Sequence, residues 1–317
     1  MNLRSLPAAH DWLAFDALHD EPEAWRDVIT AIAAEHASGP VRQKLEGTVL
    51  VALVGDSHVL KLYPPFLADH CHFERAALRL LQGQLSLPTP VLIATGERDG
   101  WPYTVMSQLP GEVLTGVWPT LSQDECCALL RTLGGVAAQV HRLPVATLLP
   151  QVPLTPTWPE LLHQQHQRCA ARHQRNGLPA HLLAQLGDFL GPAPLAHTLS
   201  EPHVMLTGEF TPMNLLAQGP HLSGMFDFGD GLVGPRTCDL LGPLCFLAAG
   251  DASRCAAFIE GYGSGIVLDD ALRVELMQFL LLHRYSNLPA QIKMPLWQEA
   301  PDFLTLTQRI WPSQGAA

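Results

Sequence analysis

Charged and aromatic residues are scarce in this 317-residue chain: Asp, Glu, Lys and Arg make up 15% and aromatic residues 7%. With 47% apolar residues and a mean hydropathy of +0.12, the composition is typical of a globular protein and not of a disordered one. Basic residues number 19 against 30 acidic ones, which gives a net charge of −11. Because phosphate contacts need clustered Lys and Arg, nucleic acid and anionic membranes are not expected partners.

The sequence also has no CxxC pair and no long apolar run, and a signal peptide is not expected. Its seven cysteines form no CxxC pair, so free thiols in a reducing compartment are expected and disulfides are not. No segment is uninterruptedly apolar over about 18 residues, which argues against a membrane span. Residues 1–25 contain no apolar core of the kind that signal peptides need. We therefore expect a cytoplasmic protein.

The order of strand and helix patterns divides the chain into three expected parts. Residues 1–40 predict a helical prefix, because apolar residues recur at helical spacing from Trp25 to Ala33. Residues 41–110 predict a β-rich lobe, and residues 111–317 predict a larger lobe built mainly of helices. The expected fold class is α+β, with a small β-rich N-terminal lobe and a helical C-terminal lobe.

Individual elements follow from local patterns. Gly55-Asp56 separates two apolar runs and predicts a hairpin. Strands are expected at 48–54, 57–63, 88–94 and 103–108, a helix at 72–82, and a short strand pair between 215 and 226. Further helices are expected at 123–142, 158–174, 181–190, 236–249, 253–262, 270–286 and 301–310.

The stretch 207–230, TGEFTPMNLLAQGPHLSGMFDFGD, contains the pattern with the most chemical information. Glu209 stands five positions before Asn214, and Asp227 opens a DFG triplet thirteen residues after Asn214. In the protein-kinase signature, a catalytic carboxylate, an Asn on Mg²⁺ and the Asp of DFG follow one another in this order. We therefore expect Asn214 and Asp227 to bind Mg²⁺, and Glu209 to accept the proton of the attacking hydroxyl or to orient it.

Two residues of the β-rich part complete this pattern. Lys61 is a lone cation in the apolar run VLKLY, either the lysine that holds the α- and β-phosphates or an edge-strand lysine facing solvent. Glu74 follows thirteen residues later on the next predicted helix, where an ion pair would hold the Lys61 ammonium toward the phosphates. The glycine-rich phosphate loop is weak, since no GxGxxG is present and Gly47 alone precedes the hairpin.

Glu209 stands where the kinase pattern has Asp. Its carboxylate would reach about 1–1.5 Å further on an unchanged backbone, a shift that can cost about 100-fold in rate where geometry is demanding. Two outcomes remain open: a site that has adjusted to Glu209, or a protein that binds nucleotide without transferring phosphate.

These residues resemble the aminoglycoside phosphotransferase and choline kinase group of small-molecule kinases. The family's HGDxxxxN and IDFGD stretches are similar to Thr207-Gly208-Glu209 with Asn214 and to Phe226–Asp230. The resemblance implies a bilobal protein-kinase-like fold. It also implies that Ser107, Gln108 and Leu109 form an adenine-binding hinge, and that Asp230 and Asp239 support the site structurally.

The function that this resemblance implies is phosphoryl transfer from ATP or GTP, with Mg²⁺, to a hydroxyl of a small cationic or sugar-like molecule. The alternative is a nucleotide-binding pseudokinase with a regulatory or interaction role, favoured by Glu209 and the poor glycine loop. A protein kinase is a weaker alternative, because an APE-like element is missing.

Overall fold

The computed structural model describes residues 6–7, 9–19, 22–36, 38–45, 47–152, 156–208, 210–263 and 265–313. The chain separates into two compact units.

The first unit consists of Met1–Gly111, Ala146–Pro153 and Ser223–Gly231. Its five strands form one antiparallel sheet. In chain order its helices and strands are α1 (Trp12–His19), α2 (Pro22–Glu35), β1 (Val41–Leu45), β2 (Leu50–Val54), β3 (His58–Leu62), α3 (Ala68–Leu81), β4 (Leu92–Arg98) and β5 (Trp101–Ser107). The strand order is β1-β2-β3-β5-β4, which places β3 in the middle of the sheet.

The turn between β2 and β3 depends on Gly55. Its φ is +54°, and a Cβ there would lie 2.1 Å from the Ser38 carbonyl oxygen. Only glycine combines that backbone conformation with so close an approach. The predicted hairpin is therefore confirmed, and its turn is packed against the end of the helical prefix.

Both faces of the sheet are covered. On one face Trp25, Ile29 and Ile32 of α2 share a hydrophobic cluster with Leu60 and Trp101 of the strands. Because side chains alternate along a strand, the residues on either side of Leu60 point to the opposite face. That face carries a second cluster, made of Val49, Val51, Tyr63, Leu67 and Cys71.

The second unit consists of Glu112–Val145, Leu154–Leu222 and Leu232–Ala317 and is mainly helical. Strand β9 (His221–Met225) starts in this unit and ends in the first. The other elements are β6 (Glu112–Val113), α4 (Leu114–Val117), α5 (Gln123–His141), α6 (Trp158–Arg175), α7 (Ala180–Leu190), β7 (His203–Leu206), β8 (Leu215–Gln218), β10 (Leu232–Pro235), α8 (Leu241–Phe246), α9 (Ala252–Tyr262), α10 (Asp270–Leu282), α11 (Leu288–Gln291) and α12 (Phe303–Ile310).

Helices α5 and α9 approach each other closely through glycines. Ser122 caps the start of α5 in a reciprocal capping box with Glu125. Further along, a Cβ on Gly134 would lie 2.2 Å from the Phe258 carbonyl oxygen, and one on Gly261 would lie 1.9 Å from the Arg131 carbonyl oxygen. The backbones of the two helices therefore touch where neither has a side chain.

The α+β fold class is confirmed, and several elements differ from their predictions. Strands β1, β7 and β10 and helix α1 were not predicted. The helix predicted at 236–249 is a 3₁₀ turn at Arg236–Leu240 followed by the short α8. Pro243 in the first turn of α8 lacks a backbone N–H, which limits how far a helix can extend through this stretch.

The two units also differ from the predicted three-part division. The described residues of the prefix share a hydrophobic cluster with the sheet and belong to the first unit, and Ser223–Gly231 belong to it as well. Within the described residues, every helix is too short or too polar to cross a lipid bilayer.

Candidate active site

Lys61 lies in the middle of the five-stranded sheet. It pairs with Val51 of β2 on one side and with Thr104 of β5 on the other. Its side chain is 6% exposed. Lys61 is therefore not the solvent-facing lysine of an edge strand, which was the alternative interpretation. Because its ammonium is buried, it needs negative partners inside the protein.

Two carboxylates supply those partners. The Lys61 Nζ donates to Glu74 Oε1 at 2.7 Å and to Asp227 Oδ1 at 2.7 Å. Glu74 lies on α3, thirteen residues after Lys61, and Asp227 comes from the segment after β9. Residues that are 166 positions apart in the chain therefore meet at one ammonium group.

Glu74 is fully buried and bound at both of its oxygens. The Tyr63 hydroxyl donates to Oε2, and the Phe228 backbone N–H donates to Oε1 at 3.3 Å. Tyr63 was missed in the sequence, although it stands two residues after Lys61. The alternation of side chains along a strand places positions 61 and 63 on the same face, and that signal could have identified it.

Asp227 lies in the turn after β9 and has a left-handed backbone conformation. Strand β9 ends at Met225, and Asp227 then adopts a φ of +67°, in the left-handed region that few side chains tolerate. Its side chain remains 49% exposed, whereas the Glu74 side chain is inaccessible. Asp227 is therefore the carboxylate of this pair that solvent can reach.

The charges of these three groups are coupled. Burial alone would lower the pKa of Lys61, but the negative charges of Asp227 and Glu74 outweigh it and raise that pKa. Burial raises the pKa of Glu74 despite the attraction of Lys61. Removal from water would also raise the pKa of Asp227, but the Lys61 ammonium outweighs it and holds that pKa below its usual value. Lys61 therefore remains charged and Asp227 remains ionised at neutral pH.

Helix α3 also holds the residues that follow Asp227. His70 Nδ1 lies 3.4 Å from Asp230 Oδ1. A Cβ on Gly231 would lie 2.0 Å from Phe73 Cε1, so the chain passes directly over that ring. Asp230, predicted as structural support, is thus placed between its own turn and α3.

The predicted hinge begins at Ser107, the last residue of β5, and continues through Gln108 and Leu109. The Ser107 N–H donates to the Val91 carbonyl at 2.9 Å, and the Gln108 N–H donates to the Ser57 carbonyl at 2.7 Å. Among the hydrogen bonds within the described part of the chain, none uses the Leu109 N–H. Gly224 of β9 lies against Leu109, since a Cβ there would be 2.7 Å from Leu109 Cδ1. Gly47, the other predicted nucleotide-binding residue of this unit, lies between β1 and β2.

In the second unit, the loop after β7 is held by Asp239. The Thr207 N–H donates to Asp239 Oδ2 at 2.8 Å, and the Thr207 hydroxyl lies 3.2 Å from the same oxygen. The His141 Nε2 approaches it at 3.3 Å, and the Tyr262 hydroxyl lies 2.9 Å from His141 Nδ1. Because a carboxylate only accepts, His141 donates to Asp239 from Nε2.

The segment after β7 also contains Glu209 and Asn214, two further predicted site residues of the second unit. Asn214 is 8% exposed, and its N–H donates to the Thr211 carbonyl at 3.1 Å. Glu209, predicted as the catalytic carboxylate, lies outside the described residues. The Thr207–Asp239 hydrogen bonds hold the chain two residues before Glu209.

Comparisons with known proteins identify the family and the fold of this chain. The model of the phosphotransferase enzyme family matches residues 40–274. Among solved structures, the GDP complex of wild-type aminoglycoside 2'-phosphotransferase-IIIa is similar at 19% identity and a TM-score of 0.64, over 89% of this chain and 96% of that one.

Two further structures are similar to the chain. A streptomycin–ATP ternary complex of APH(2″)-IIa has 17% identity and a TM-score of 0.59, over 84% of this chain and 96% of that one. The aminoglycoside phosphotransferase APH(3″)-Id of Streptomyces rimosus has 18% identity and a TM-score of 0.58, over 80% and 97%. At these identities the likeness shows a shared fold.

Proposed function

The chain belongs to the phosphotransferase enzyme family, and we propose that it transfers the γ-phosphoryl group of ATP or GTP to a hydroxyl of a small molecule. The observation that carries this proposal is the buried Lys61 ammonium, held 2.7 Å from both Glu74 and Asp227. Phosphoryl transfer needs fixed positive charge and aligned groups more than covalent chemistry from the protein.

The proposed roles follow from exposure and charge. Lys61 binds nucleotide phosphate, and the inaccessible Glu74 holds its ammonium in place. Tyr63 is a positioning residue, because it acts on Lys61 through Glu74. Ser107, Gln108 and Leu109 contact adenine or guanine, and the N–H of Leu109 is the donor that the protein's own hydrogen bonds leave for it. Gly47 lies near the phosphates.

The oxygens of Asp227 fit a magnesium ion, since a half-exposed carboxylate beside a lysine is ionised and accessible. The order of the sequence pattern assigns the same ligand role to Asn214. Bound Mg²⁺ would neutralise charge on the phosphate oxygens. Glu209 orients the acceptor hydroxyl or takes its proton, and Asp239 supports that loop through Thr207.

The acceptor is proposed as a small hydroxylated molecule of the amine or sugar type. This proposal is supported by the similar solved structures, which include a complex with streptomycin and ATP and an aminoglycoside phosphotransferase.

The test is phosphate transfer across a panel of hydroxylated amines and sugars, with ATP and GTP each supplied with Mg²⁺. We expect a phosphorylated product with the wild type and a loss of about 100-fold or more in turnover for Lys61→Met and Asp227→Asn. The matched control is Lys293→Met, since Lys293 is an exposed lysine of the other unit. If Lys293→Met loses as much turnover as Lys61→Met does, the proposed role of Lys61 is contradicted.

Glu209 decides between the enzyme and the pseudokinase. If Glu209 is catalytic, Glu209→Asp retains or raises turnover and Glu209→Ala abolishes it. Equal turnover in all three proteins removes Glu209 from the mechanism. Nucleotide binding that depends on Lys61, without transfer to any panel member, favours the regulatory nucleotide-binding role.

A further inference from the structure

A pocket of about 440 Å³ in the second unit is lined by arginines. Arg168, Arg172 and Arg175 come from α6, and Arg284 comes from the segment after α10. These are four of the 16 arginines of a chain whose net charge is −11. Among the described residues, no Asp or Glu lines this pocket.

The helix brings the three arginines of α6 together. Positions 168, 172 and 175 are four and three residues apart, the spacing that places side chains on one helix face. Like charges at this spacing repel each other and destabilise an isolated helix. The sequence therefore concentrates positive charge here at a cost in helix stability.

Arg172 is the fixed member of this group. It is 8% exposed, and its Nη1 donates to Gln165 Oε1 at 3.1 Å while its Nη2 donates to the Leu281 carbonyl at 2.8 Å. Its buried Nε has no hydrogen-bond partner. Burial first, and then the charges of Arg175 and Arg168, lower the pKa of Arg172.

The positive charge of this group is not neutralised by acidic side chains. Within the described residues, no carboxylate oxygen lies within 4.0 Å of a nitrogen of Arg168, Arg172 or Arg175. Other arginines of the chain do have such partners: Arg98 with Glu35, Arg131 with Glu260, Arg254 with Asp251 and Arg273 with Asp270. A buried guanidinium without a carboxylate is unfavourable unless another anion balances its charge.

We propose that this pocket binds the phosphate group of a small phosphorylated molecule. The planar guanidinium fork matches the tetrahedral oxygens of phosphate, and four arginines line this one pocket. The volume lies within the range of small-molecule sites, roughly 300–1,000 Å³, so it accommodates more than a bare phosphate ion. A cationic acceptor is repelled by the same charges. The site therefore adds an anionic ligand to the protein, independent of the proposed transfer reaction.

The test is calorimetric titration with pyrophosphate, inorganic phosphate and glycerol phosphate, in chloride buffer of constant ionic strength and without nucleotide. The informative variants are Arg168→Gln and Arg175→Gln, because both side chains are exposed and their loss leaves packing intact. We expect each to lower the affinity by about tenfold or more, the loss of one charge-assisted hydrogen bond. The matched control is Arg79→Gln, an exposed arginine at the end of α3 and outside the pocket, which keeps the wild-type affinity.

A second arm separates this site from the nucleotide site. Arg168→Gln and Arg175→Gln are expected to bind nucleotide with Mg²⁺ as the wild type does. A loss of nucleotide affinity in these variants equal to their loss of anion affinity would place the anion at the nucleotide site and overturn the proposal. Wild-type affinity in both arginine variants would also overturn it, as would a heat signal that chloride reproduces at equal concentration. A preference for glycerol phosphate over inorganic phosphate identifies a phosphorylated metabolite as the ligand, and the reverse preference identifies free phosphate.

Discussion

The Tyr63 hydroxyl is expected to stabilise the fold more than an ordinary hydroxyl does, because it binds a carboxylate that water cannot reach. Glu74 is fully buried, so the loss of one hydrogen-bond donor leaves an ionised oxygen without compensation. The consequence extends to Lys61, whose ammonium is positioned by the same carboxylate.

Tyr63→Phe is therefore expected to lower the free energy of unfolding by about 2 kcal/mol, the value of a hydrogen bond to a charged group. Chemical denaturation measures this loss. The matched control is Tyr103→Phe, because the Tyr103 hydroxyl lies 3.0 Å from the His36 Nε2, a contact between groups that are both partly buried. We expect about 1 kcal/mol there, the value of a neutral hydrogen bond. Equal losses in the two variants would show that Glu74 does not depend on Tyr63.

His283, after α10, makes a second prediction at this scale. Burial, and then the charges of Arg284 and Arg172, lower the pKa of His283 to about 4. Its Nδ1 accepts from the Tyr285 N–H at 3.4 Å, so protonation of that nitrogen breaks the contact. The neutral ring therefore stabilises the folded state fully above pH 6.5, the ordinary pKa of histidine in an unfolded chain, and this stability is lost as the pH falls toward 4.

The His283→Gln variant is expected to lose about 2 kcal/mol less stability than the wild type between pH 7.5 and pH 5. Denaturant titrations at both values measure the difference. The exposed His72 provides the control: His72→Gln should lose as much as the wild type over the same interval. If His283→Gln loses as much stability between pH 7.5 and pH 5 as the wild type does, the surroundings of His283 do not keep its ring neutral.

At the scale of the elements, the close approach of α5 and α9 depends on glycine. Helix α5 ends at His141, which hydrogen-bonds to Asp239, and α9 ends at Tyr262, which hydrogen-bonds to His141. The packing of this helix pair thus determines the position of the residues that support the loop after β7.

Gly134→Ala is expected to destabilise the protein by about 3 kcal/mol or more, because the new methyl group meets backbone of α9 that cannot rotate away. The adjacent Gly135 is the matched control, since a Cβ there lies 3.6 Å from the nearest atom, the Gly261 carbonyl oxygen. Gly135→Ala should be neutral or stabilising, as expected for alanine in a helix. Thermal unfolding of both variants compares them, and equal melting temperatures would contradict the close packing.

The elements also show which parts of the fold local sequence could predict. Helices α5 and α9 were predicted to within one residue, because their apolar residues recur at helical spacing over three or more turns. Strands β7 and β10 were missed. Each has four residues, β10 contains Gly234 and Pro235, and the two pair with each other across 26 or more positions. Pairing of this kind depends on contacts that are distant in the chain, which a local pattern does not contain.

The candidate site, too, could be predicted from the sequence only in part. The identities of Lys61, Glu74 and Asp227 were predicted from order and spacing, and the structure brings these three together. The hydrogen bond of Tyr63, the left-handed backbone of Asp227 and the arginine pocket all depend on tertiary packing. The residue types could thus be predicted from the sequence, whereas their hydrogen bonds and exposure could not.

At the scale of the whole molecule, the region that the family model matches leaves out buried residues that stabilise the fold. The family model begins at residue 40, yet Trp25, Val28, Ile29 and Ile32 of α2 are buried in the cluster that covers one face of the sheet. Each such side chain stabilises a fold by about 1.5–3 kcal/mol when buried. The helical prefix therefore stabilises the unit that carries Lys61.

Ile32→Ala is expected to lower the free energy of unfolding by about 2–5 kcal/mol, since Ile32 is fully buried. The matched control on the other prefix helix is Leu13→Ala, because Leu13 is 82% exposed. Deletion of residues 1–36 should go further and unfold the sheet, which hydrogen exchange of the β3 and β5 amides would detect as loss of protection. Full protection of the sheet after that deletion would show that the prefix is dispensable.

The left-handed backbone at Asp227 restricts how this position can change in evolution. Single base changes in an Asp codon lead to Asn, Gly, Glu, Ala, Val, Tyr and His. Of these, Asn and Gly are the residues that adopt a φ near +67° with little strain. A descendant of this chain that loses the carboxylate at position 227 but keeps its fold is therefore expected to carry Asn or Gly there. Any other residue at this position would indicate that the backbone of the turn had changed as well.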